Sequence, residues 1–372
     1  MRNRIPALFL PFCAMFLLTG GCQNPPKNSP AAVALSWPAA TEVREHMKAA
    51  FVPELQAVRE EPSTAAKPSN GWIPGVFYAG VSAAWLATGD EDYRRALVQW
   101  GESVHWQPAP RPRHADDLCC GQAFLDLYLR EGGAERIAAI RARVDAFLAA
   151  PQPGRKDWWW CDALFMAPPV FVKLSQATGD PRYREALAPL YWDAVKPLWS
   201  EPDHLFYRDP NFVSKPQKIF WARGNAWVLA GLARILEGLP VDDPARARYQ
   251  ELFRTLAARA VELQSPDGAW RANLADLQQF PEPESSSTAL FAYGLAWGVN
   301  HGLLARADYA PAVLKAWEAL KRAQLPSGQL GSVQPAGNKP AVSTQASTAP
   351  FGCGAFLLLG AELLPAAGPH AG

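Results

Sequence analysis

The feature that most constrains the fold of this chain is the recurrence of apolar residues at helical spacing in about a dozen segments, while strand-like alternation is weak throughout. The predicted helices lie near residues 40–59, 76–87, 91–104, 117–130, 134–149, 161–177, 182–197, 222–238, 244–264, 286–303, 309–323 and 352–363. Helices of this kind bury their apolar faces by packing on other helices. The pattern therefore predicts an all-α protein.

An internal repeat indicates how the helices are arranged. Thr88–Leu97 (TGDEDYRRAL) returns as Thr178–Leu187 (TGDPRYREAL), four predicted helices or two helical hairpins later. In each copy the glycine can end one helix in a left-handed conformation and the aspartate can cap the next. Stacked hairpins form an open solenoid or a closed ring. Since twelve helices make six hairpins, we expect an (α/α)6 barrel in a single domain over residues 38–365, followed by a tail at 366–372.

The N-terminus has the pattern of an export signal. Arg2 and Arg4 precede a short apolar run at residues 5–18. This run is too short for a stable membrane-spanning anchor. We interpret residues 1–22 as a signal peptide, which predicts an exported, periplasmic protein.

The end of that signal resembles a bacterial lipobox. Cys22 follows two glycines, although Thr19 stands where an aliphatic residue is usual. We expect lipidation at Cys22, so that the protein contacts the membrane through a lipid anchor alone; ordinary signal cleavage nearby is the alternative. Residues 23–37 then have the composition of a flexible tether.

Charge and motif content exclude several classes of function. Lys and Arg number 36 against 35 Asp and Glu, with no basic block, so a nucleic-acid partner is not expected. The four cysteines after the tether show neither a CxxC pair nor Cys/His ligand spacing, so no metal site is predicted. No P-loop, GxSxG, HExxH or dinucleotide-binding glycine pattern is present, and we expect no cofactor. The sequence does not indicate an oligomeric state.

The strongest candidate for chemistry is Asp162. It follows Trp158, Trp159 and Trp160 within an otherwise apolar run. Burial beside aromatic rings raises the pKa of a carboxyl group, as a general acid near neutral pH requires. Indole faces such as that of Trp160 could also stack on a sugar ring. The alternative interpretation is a core helix whose single aspartate caps or bridges a neighbour.

Other polar groups precede or begin predicted helices. Asp116 and Asp117 form an adjacent pair in which one carboxylate can act as an N-cap and the other can point elsewhere, for example into the barrel mouth. Arg223 and Trp227 lie four residues apart on one helix face, so they could hold a carboxylate and stack on a ring, or form a surface cation–π pair. Asn225 could cap the helix or contact a hydroxyl group.

Two loops and one histidine complete the candidates. His204 stands beside the loop at residues 205–210 and is the histidine best placed in the sequence for ligand contact. Residues 283–288 read as a Ser/Thr-capped helix start. The Gly/Pro/Ser/Gln-rich loop at 324–350 has a length typical of loops that cover a site.

Taken in order, these segments resemble a known family. They are the DD…GQ, WWWCDALFMAPP, FWARGNAW, PESSST…YGLAWG and FGCGAFLL segments, which begin near residues 116, 158, 220, 283 and 351. The chain resembles the unsaturated glycuronyl hydrolases, glycoside hydrolase families 88 and 105, and is most similar to the unsaturated rhamnogalacturonyl hydrolase branch. One departure is Ser287, which stands where a glycine is more usual.

This resemblance implies an (α/α)6 barrel and hydrolysis of an oligosaccharide that carries a 4,5-unsaturated uronic acid at its non-reducing end. It implies that Asp162 is the general acid/base and that Asp116 or Asp117 is its partner. It also implies that Arg223 and Trp227 contact the substrate. Two alternatives stay open: another (α/α)6 glycosidase or epimerase acting on saturated sugars, and a non-catalytic glycan-binding lipoprotein.

Overall fold

The computed structural model describes residues 35–365 of the 372-residue chain. The predicted signal peptide, the lipidation site at Cys22, most of the tether and the C-terminal tail lie outside the described residues.

Twelve long helices alternate along the chain between an outer and an inner layer. The outer helices are α1 (Ala40–Glu60), α3 (Glu91–Ser103), α6 (Glu135–Ala149), α10 (Arg182–Val195), α13 (Arg246–Glu262) and α15 (Arg306–Ala323). The inner helices are α2 (Trp72–Thr88), α5 (Gly121–Glu131), α9 (Pro168–Thr178), α12 (Ala222–Gly238), α14 (Ser285–Asn300) and α16 (Pro350–Leu363). The remaining elements are short: α4 (Ala115–Leu118), α7 (Gly154–Asp157), α8 (Ala163–Met166), α11 (Pro210–Val213) and a hairpin of β1 (Trp199–Ser200) with β2 (Leu205–Phe206).

The inner helices form a closed ring. Each packs against the next in the order α2, α5, α9, α12, α14 and α16, and α16 packs back against α2. Each outer helix packs on its inner neighbours. The predicted all-α class and (α/α)6 barrel are therefore confirmed.

The sequence explains why the layers differ. Outer helix α3 buries Tyr93, Leu97 and Trp100, which lie at i, i+4 and i+7 on one face, and exposes the opposite face. Inner helix α14 is buried along its whole length from Ser285 to Val299 because it has neighbours on all sides. Helices that are apolar all round must occupy the interior, since no face of theirs suits water.

The ring closes where two glycines meet. A Cβ atom on Gly80 of α2 would lie 2.2 Å from the carbonyl oxygen of Gly354 on α16. No side chain other than hydrogen fits at that separation. The glycines thus permit the close approach of the first and last inner helices.

The internal repeat forms the two turns that it predicts. Gly89 and Gly179 end α2 and α9 with φ values of 69° and 71°. The side chain of Asp90 accepts from the backbone N–H of Asp92 at 2.8 Å, and that of Asp180 accepts from Arg182 at 3.0 Å. The copies lie two hairpins apart, as expected.

Two predicted helices are broken in the structure. The helix expected at 117–130 is the short α4, a turn at residues 119–120 and then α5; the helix expected at 161–177 is α8 followed by α9. Pro168 and Pro169 explain the second break, because proline lacks an N–H and suits the first turn of a new helix. Both breaks place aspartates just before inner helices.

The connections differ between the two ends of the barrel. Outer helices lead to inner helices through long connections, at residues 61–71, 104–120, 150–167, 196–221, 263–284 and 324–349. Inner helices lead to outer ones through shorter connections, at residues 89–90, 132–134, 179–181, 239–245 and 301–305. The long connections and the inner N-termini form one end of the barrel, called here the mouth. Between Leu35 and Pro365, no helix has both the length and the apolar character needed to cross a bilayer.

Candidate active site

Asp162 lies at the mouth, at the start of α8. Only 8 % of the residue is exposed. Its Oδ2 lies 3.7 Å from the thiol of Cys161 and 3.6 Å from Nε of Arg208. Burial raises the pKa of Asp162, and the positive charge of Arg208 opposes part of that rise. The carboxyl group is therefore held in surroundings that favour its protonated form.

The three tryptophans before Asp162 occupy different environments. Trp158 is fully buried and packs against Phe171. Trp160, which was predicted to contact substrate, is 3 % exposed and packs against the ring of His114, with centroids 4.7 Å apart. Trp159 is 40 % exposed. Of the three indoles, Trp159 has the most surface available to a ligand.

Asp116 and Asp117 differ sharply in their contacts. Asp117 is 1 % exposed and accepts from Arg111, at 2.6 Å from the backbone N–H and at 3.0 Å from Nε. Asp116 lies 3.8 Å from Nη2 of Arg111 and 3.7 Å from Nδ1 of His114. Burial first, and then the negative charge of Asp162, raises the pKa of Asp116 to about 7. Neither aspartate is the N-cap of α4, a position that His114 occupies.

The histidine that lies beside Asp116 and Trp160 is His114, and not the predicted His204. Burial and the nearby Arg111 lower the pKa of His114 to about 4, so its ring is neutral at pH 7. His204 is in the turn between β1 and β2, with its ring against Trp199 at 6.1 Å and a φ of 52°. Among the described residues, no hydrogen bond, ion pair or ring contact joins His204 to Asp116 or Asp162. The sequence carried no signal that singled out His114, since only tertiary packing sets it on Trp160.

Arg208 comes from the loop after β2. Its backbone carbonyl accepts from the N–H of Cys161 at 2.8 Å, which ties this loop to the segment that carries Asp162. Its Nη1 donates to Asp209 at 2.9 Å, and its guanidinium lies 5.2 Å from the ring centroid of Trp159. The sequence identified this loop as chemically capable, but nothing in it showed that Arg208 reaches Asp162.

Arg223 is buried at the first turn of α12. Its Nη1 donates to the carbonyl of Gln334 at 2.6 Å, and its Nη2 to that of Pro335 at 2.9 Å. The rings of Trp221 and Phe351 lie 4.7 and 4.8 Å from the guanidinium carbon. The charge of Arg223 still influences the pKa of Asp162. Arg223 therefore belongs to the mouth, but it holds the loop at 324–350 through its main donors.

Asn225 and Trp227 serve the interior of the barrel. Asn225 is fully buried and exchanges hydrogen bonds of 2.7 and 3.0 Å with the backbone of Phe206, which fixes the hairpin on α12. Trp227 is 1 % exposed and packs on Phe165, with centroids 4.6 Å apart. This packing leaves Trp227 no exposed face for a sugar and Asn225 no free amide for a hydroxyl group.

Glu284 organises the opposite side of the mouth. It is the N-cap of α14 and accepts from the backbone N–H groups of Ser286 and Ser287 at 3.1 and 2.7 Å. It also accepts from the N–H of Gln334 at 2.9 Å. The expected cap was a serine or threonine, and that expectation was wrong. With the hydroxyl of Ser286, which donates at 2.7 Å, the carboxylate satisfies four donors at once, and so it joins the helix start to the long loop.

Cationic and anionic side chains meet at the mouth, and the cationic ones can bind an anionic ligand. Arg111, Arg208 and Arg223 bring positive charge to the mouth, and the N-termini of the inner helices add partial positive charge. Within residues 35–365 no group of three or more His, Cys, Asp or Glu side chains is arranged to hold a metal ion. A cavity of about 640 Å³ adjoins this region, between Trp72, Pro335 of the long loop and Phe351 of α16. Its volume is in the range of pockets that hold small organic ligands, roughly 300–1,000 Å³.

Comparisons with known proteins agree with this architecture. The chain is 36 % identical over 341 residues to an unsaturated 3S-rhamnoglycuronyl hydrolase from Formosa agariphila, covering 86 % of this chain and 90 % of that protein. A solved structure of a glycosyl hydrolase family 88 protein from Bacteroides vulgatus superposes with a TM-score of 0.80 at 31 % identity, covering 87 % of this chain and 99 % of the other. A second solved structure, described as a polysaccharide lyase, gives a TM-score of 0.80 at 34 % identity, covering 87 % and 96 %.

The sequence profile of one family spans nearly the whole barrel. It matches residues 45–367 and is described as Glycosyl Hydrolase Family 88. The family resemblance seen in the sequence is therefore confirmed. The chain belongs to glycosyl hydrolase family 88 and is a glycosidase.

Proposed function

We propose that this glycosidase removes a 4,5-unsaturated uronic acid from the non-reducing end of oligosaccharides that polysaccharide lyases generate. The observation that carries the proposal is the pair of carboxyl groups with raised pKa values, Asp116 and Asp162, beside the arginines of the mouth. A protonated carboxyl group can donate a proton near neutral pH, and the surrounding arginines attract an anionic sugar.

The reaction that fits this site is hydration of the C4=C5 double bond. Protonated Asp162 donates its proton to C4, and the positive charge that develops at C5 is shared with the ring oxygen. Water then forms a bond to C5 and returns a proton to the Asp162 carboxylate. The resulting hemiketal opens by breaking the C5–ring oxygen bond, and the hemiacetal left at C1 releases the next sugar. One water molecule is consumed, and Asp162 ends in its starting state.

Asp116 acts as the partner carboxyl group in this proposal. The negative charges of Asp116 and Asp162 disfavour each other, so the pair retains a proton to a higher pH than an isolated carboxyl group would. Asp117 is less suited to the role because Arg111 already engages both of its oxygens.

We infer that rhamnose is the sugar next to the unsaturated uronate. The support is the similarity to the Formosa agariphila protein, an unsaturated 3S-rhamnoglycuronyl hydrolase. The cavity beside Pro335 and Phe351 is the space into which a longer leaving saccharide would extend.

The decisive experiment follows the ultraviolet absorbance of the double bond conjugated to the uronate carboxylate. The purified protein is incubated with unsaturated oligosaccharides in which the uronate precedes rhamnose, with or without a sulfate ester, or precedes another sugar. Loss of absorbance with release of the shortened saccharide is expected, fastest for the rhamnose-containing substrates. An unchanged absorbance would instead favour a glycosidase that acts on saturated sugars.

One solved relative is described as a polysaccharide lyase, an activity that the same assay would also detect. A lyase creates the double bond instead of removing it, so absorbance would rise when the protein meets an intact uronate-containing polysaccharide. The same measurement therefore distinguishes the two activities by its sign.

We further propose that the protein is exported to the periplasm and anchored by a lipid on Cys22. The support is the charged start, the short apolar run and the lipobox-like end of residues 1–22. Expression in a bacterial host with a radiolabelled fatty acid should label the wild-type protein in the membrane fraction. Cys22→Ser should abolish labelling and release the protein to the soluble fraction. Labelling that persists in the variant would exclude Cys22 as the acylated residue.

A further inference from the structure

We propose that Arg208, and not Arg223, binds the carboxylate of the unsaturated uronate. This inference rests on the proposed function and names the group that recognises the charged end of that substrate. Arg223 is the residue to which the family resemblance assigns substrate contact, and Arg208 was identified only as part of a loop.

The contacts of Arg223 argue against its binding the substrate carboxylate. Only 1 % of the residue is exposed, and aromatic rings cover the guanidinium. Both terminal nitrogens donate to carbonyl oxygens, of Gln334 and Pro335. A carboxylate could use these donors only if the loop at 324–350 released them. Arg223 therefore holds the loop in place.

The contacts of Arg208 leave one side of its guanidinium available. Its Nε is shielded from solvent and faces Oδ2 of Asp162, whereas Nη2 makes no hydrogen bond within the described part of the chain. Nη1 is bonded to Asp209, which orients the group from one side only. Nη2 can therefore donate a charge-assisted hydrogen bond to a substrate carboxylate. Arg223 also has a buried Nε without a partner, so the two arginines differ in their terminal nitrogens, both of which are in use in Arg223.

The chemistry requires the carboxylate-binding group to lie beside the proton donor. In the substrate the carboxylate is attached to C5, and the proton must reach the adjacent carbon, C4. Arg208 meets this condition, since its Nε lies 3.6 Å from Oδ2 of Asp162. The exposed ring of Trp159, 5.2 Å from the guanidinium carbon, offers an apolar face next to the same position.

The test compares an unsaturated rhamnoglycuronyl disaccharide with its methyl ester, in which the carboxylate charge is removed. Both are assayed by loss of absorbance in the wild type and in Arg208→Gln, Arg208→Lys and Arg223→Gln. The quantity of interest is the ratio of kcat/KM for the acid to that for the ester. A change in the acidity of Asp162 affects both substrates alike and cancels from this ratio. The intrinsic reactivity of the ester is the same for every variant, so it cancels when the ratios of a variant and the wild type are compared.

Arg208→Gln is expected to lose the preference for the acid by about ten- to a hundredfold, as expected for a hydrogen bond to a charged group. Arg208→Lys should keep part of it, because the charge remains without the fixed planar geometry of the guanidinium. Arg223→Gln should keep the full preference while lowering the melting temperature, since the loop loses its support.

The outcomes separate this inference from the function on which it rests. An active wild type whose Arg208→Gln variant still prefers the acid overturns the inference alone. Loss of the preference in Arg223→Gln also overturns it. A wild type that leaves the absorbance of both substrates unchanged overturns the proposed function, and the inference with it.

Discussion

Asp116 and Asp162 form an electrostatically coupled pair of carboxyl groups at the mouth of the barrel. They lie in different connections, before α5 and before α9, yet the negative charge of Asp162 is second only to burial in raising the pKa of Asp116 to about 7. Such a pair titrates in two steps that belong to both residues together. Near neutral pH the pair therefore retains a proton that it can donate.

Asp162→Asn should lower kcat by roughly 10²–10⁴-fold, the usual value of general acid–base catalysis. The amide has the same shape but no acidic proton. Steady-state rates from the absorbance assay, with circular dichroism to verify the fold, provide the measurement. A variant that retained more than about a hundredth of the rate would exclude Asp162 as the general acid/base.

Asp116→Asn should stabilise the protein at pH 8 but not at pH 4. The folded pKa of Asp116 is about 7, above its ordinary value of 3.8, so the folded state binds more protons than the unfolded state between these values. Stability is therefore lost as pH rises through this window, and asparagine avoids the loss, which is roughly 1–3 kcal/mol. Melting temperatures of the variant and the wild type at the two pH values show whether the substitution stabilises the protein at pH 8 alone. An equal change at both would mean that Asp116 ionises normally.

Asp117→Asn is the matched control on the neighbouring residue. Because Asp117 is buried and bonded to Arg111, its loss should lower the free energy of unfolding by about 1–3 kcal/mol. The kcat of the folded protein should stay near the wild-type value. A large loss of kcat with unchanged stability would instead make Asp117 the partner of Asp162.

Trp159→Ala and Trp160→Ala should have different effects although the residues are adjacent. The exposed Trp159 should contribute to binding, so its removal should raise KM by roughly three- to tenfold with little change in stability. Trp160 is buried, so its removal should lower stability by about 3–5 kcal/mol. Chemical denaturation and substrate titration together provide the measurement. If the two effects were exchanged, the assignment of the binding surface would be incorrect.

Gly80→Ala should destabilise the closed ring. Its new methyl group would lie 2.2 Å from the carbonyl oxygen of Gly354, which requires α2 and α16 to move apart at a cost of roughly 1–3 kcal/mol or more. Gly337→Ala is the control, since its Cβ would meet only the carbonyl oxygen of Pro335 at 3.8 Å. Equal melting temperatures for the two variants would argue against close packing at the seam.

Helix number, approximate helix bounds and the turn repeat were predictable from sequence, because they depend on local periodicity and on residues such as Gly89 and Gly179. The breaks at 119–120 and before Pro168 were missed, since apolar periodicity continues across them. Asp162 was selected as a candidate because an acidic residue in an aromatic run is locally unusual. His114 was missed because nothing in its own segment reveals that it packs on Trp160.

The sequence alone determined that a dozen amphipathic or wholly apolar helices must pack on one another, because no other arrangement buries their apolar faces. It also placed Asp162 directly after three tryptophans. Only the tertiary structure decided that Asp117 and Arg223 are engaged by neighbours while Asp116 and Arg208 lie by Asp162. The physical reason is that these contacts join connections far apart in the chain, and their geometry is set by the closure of the ring.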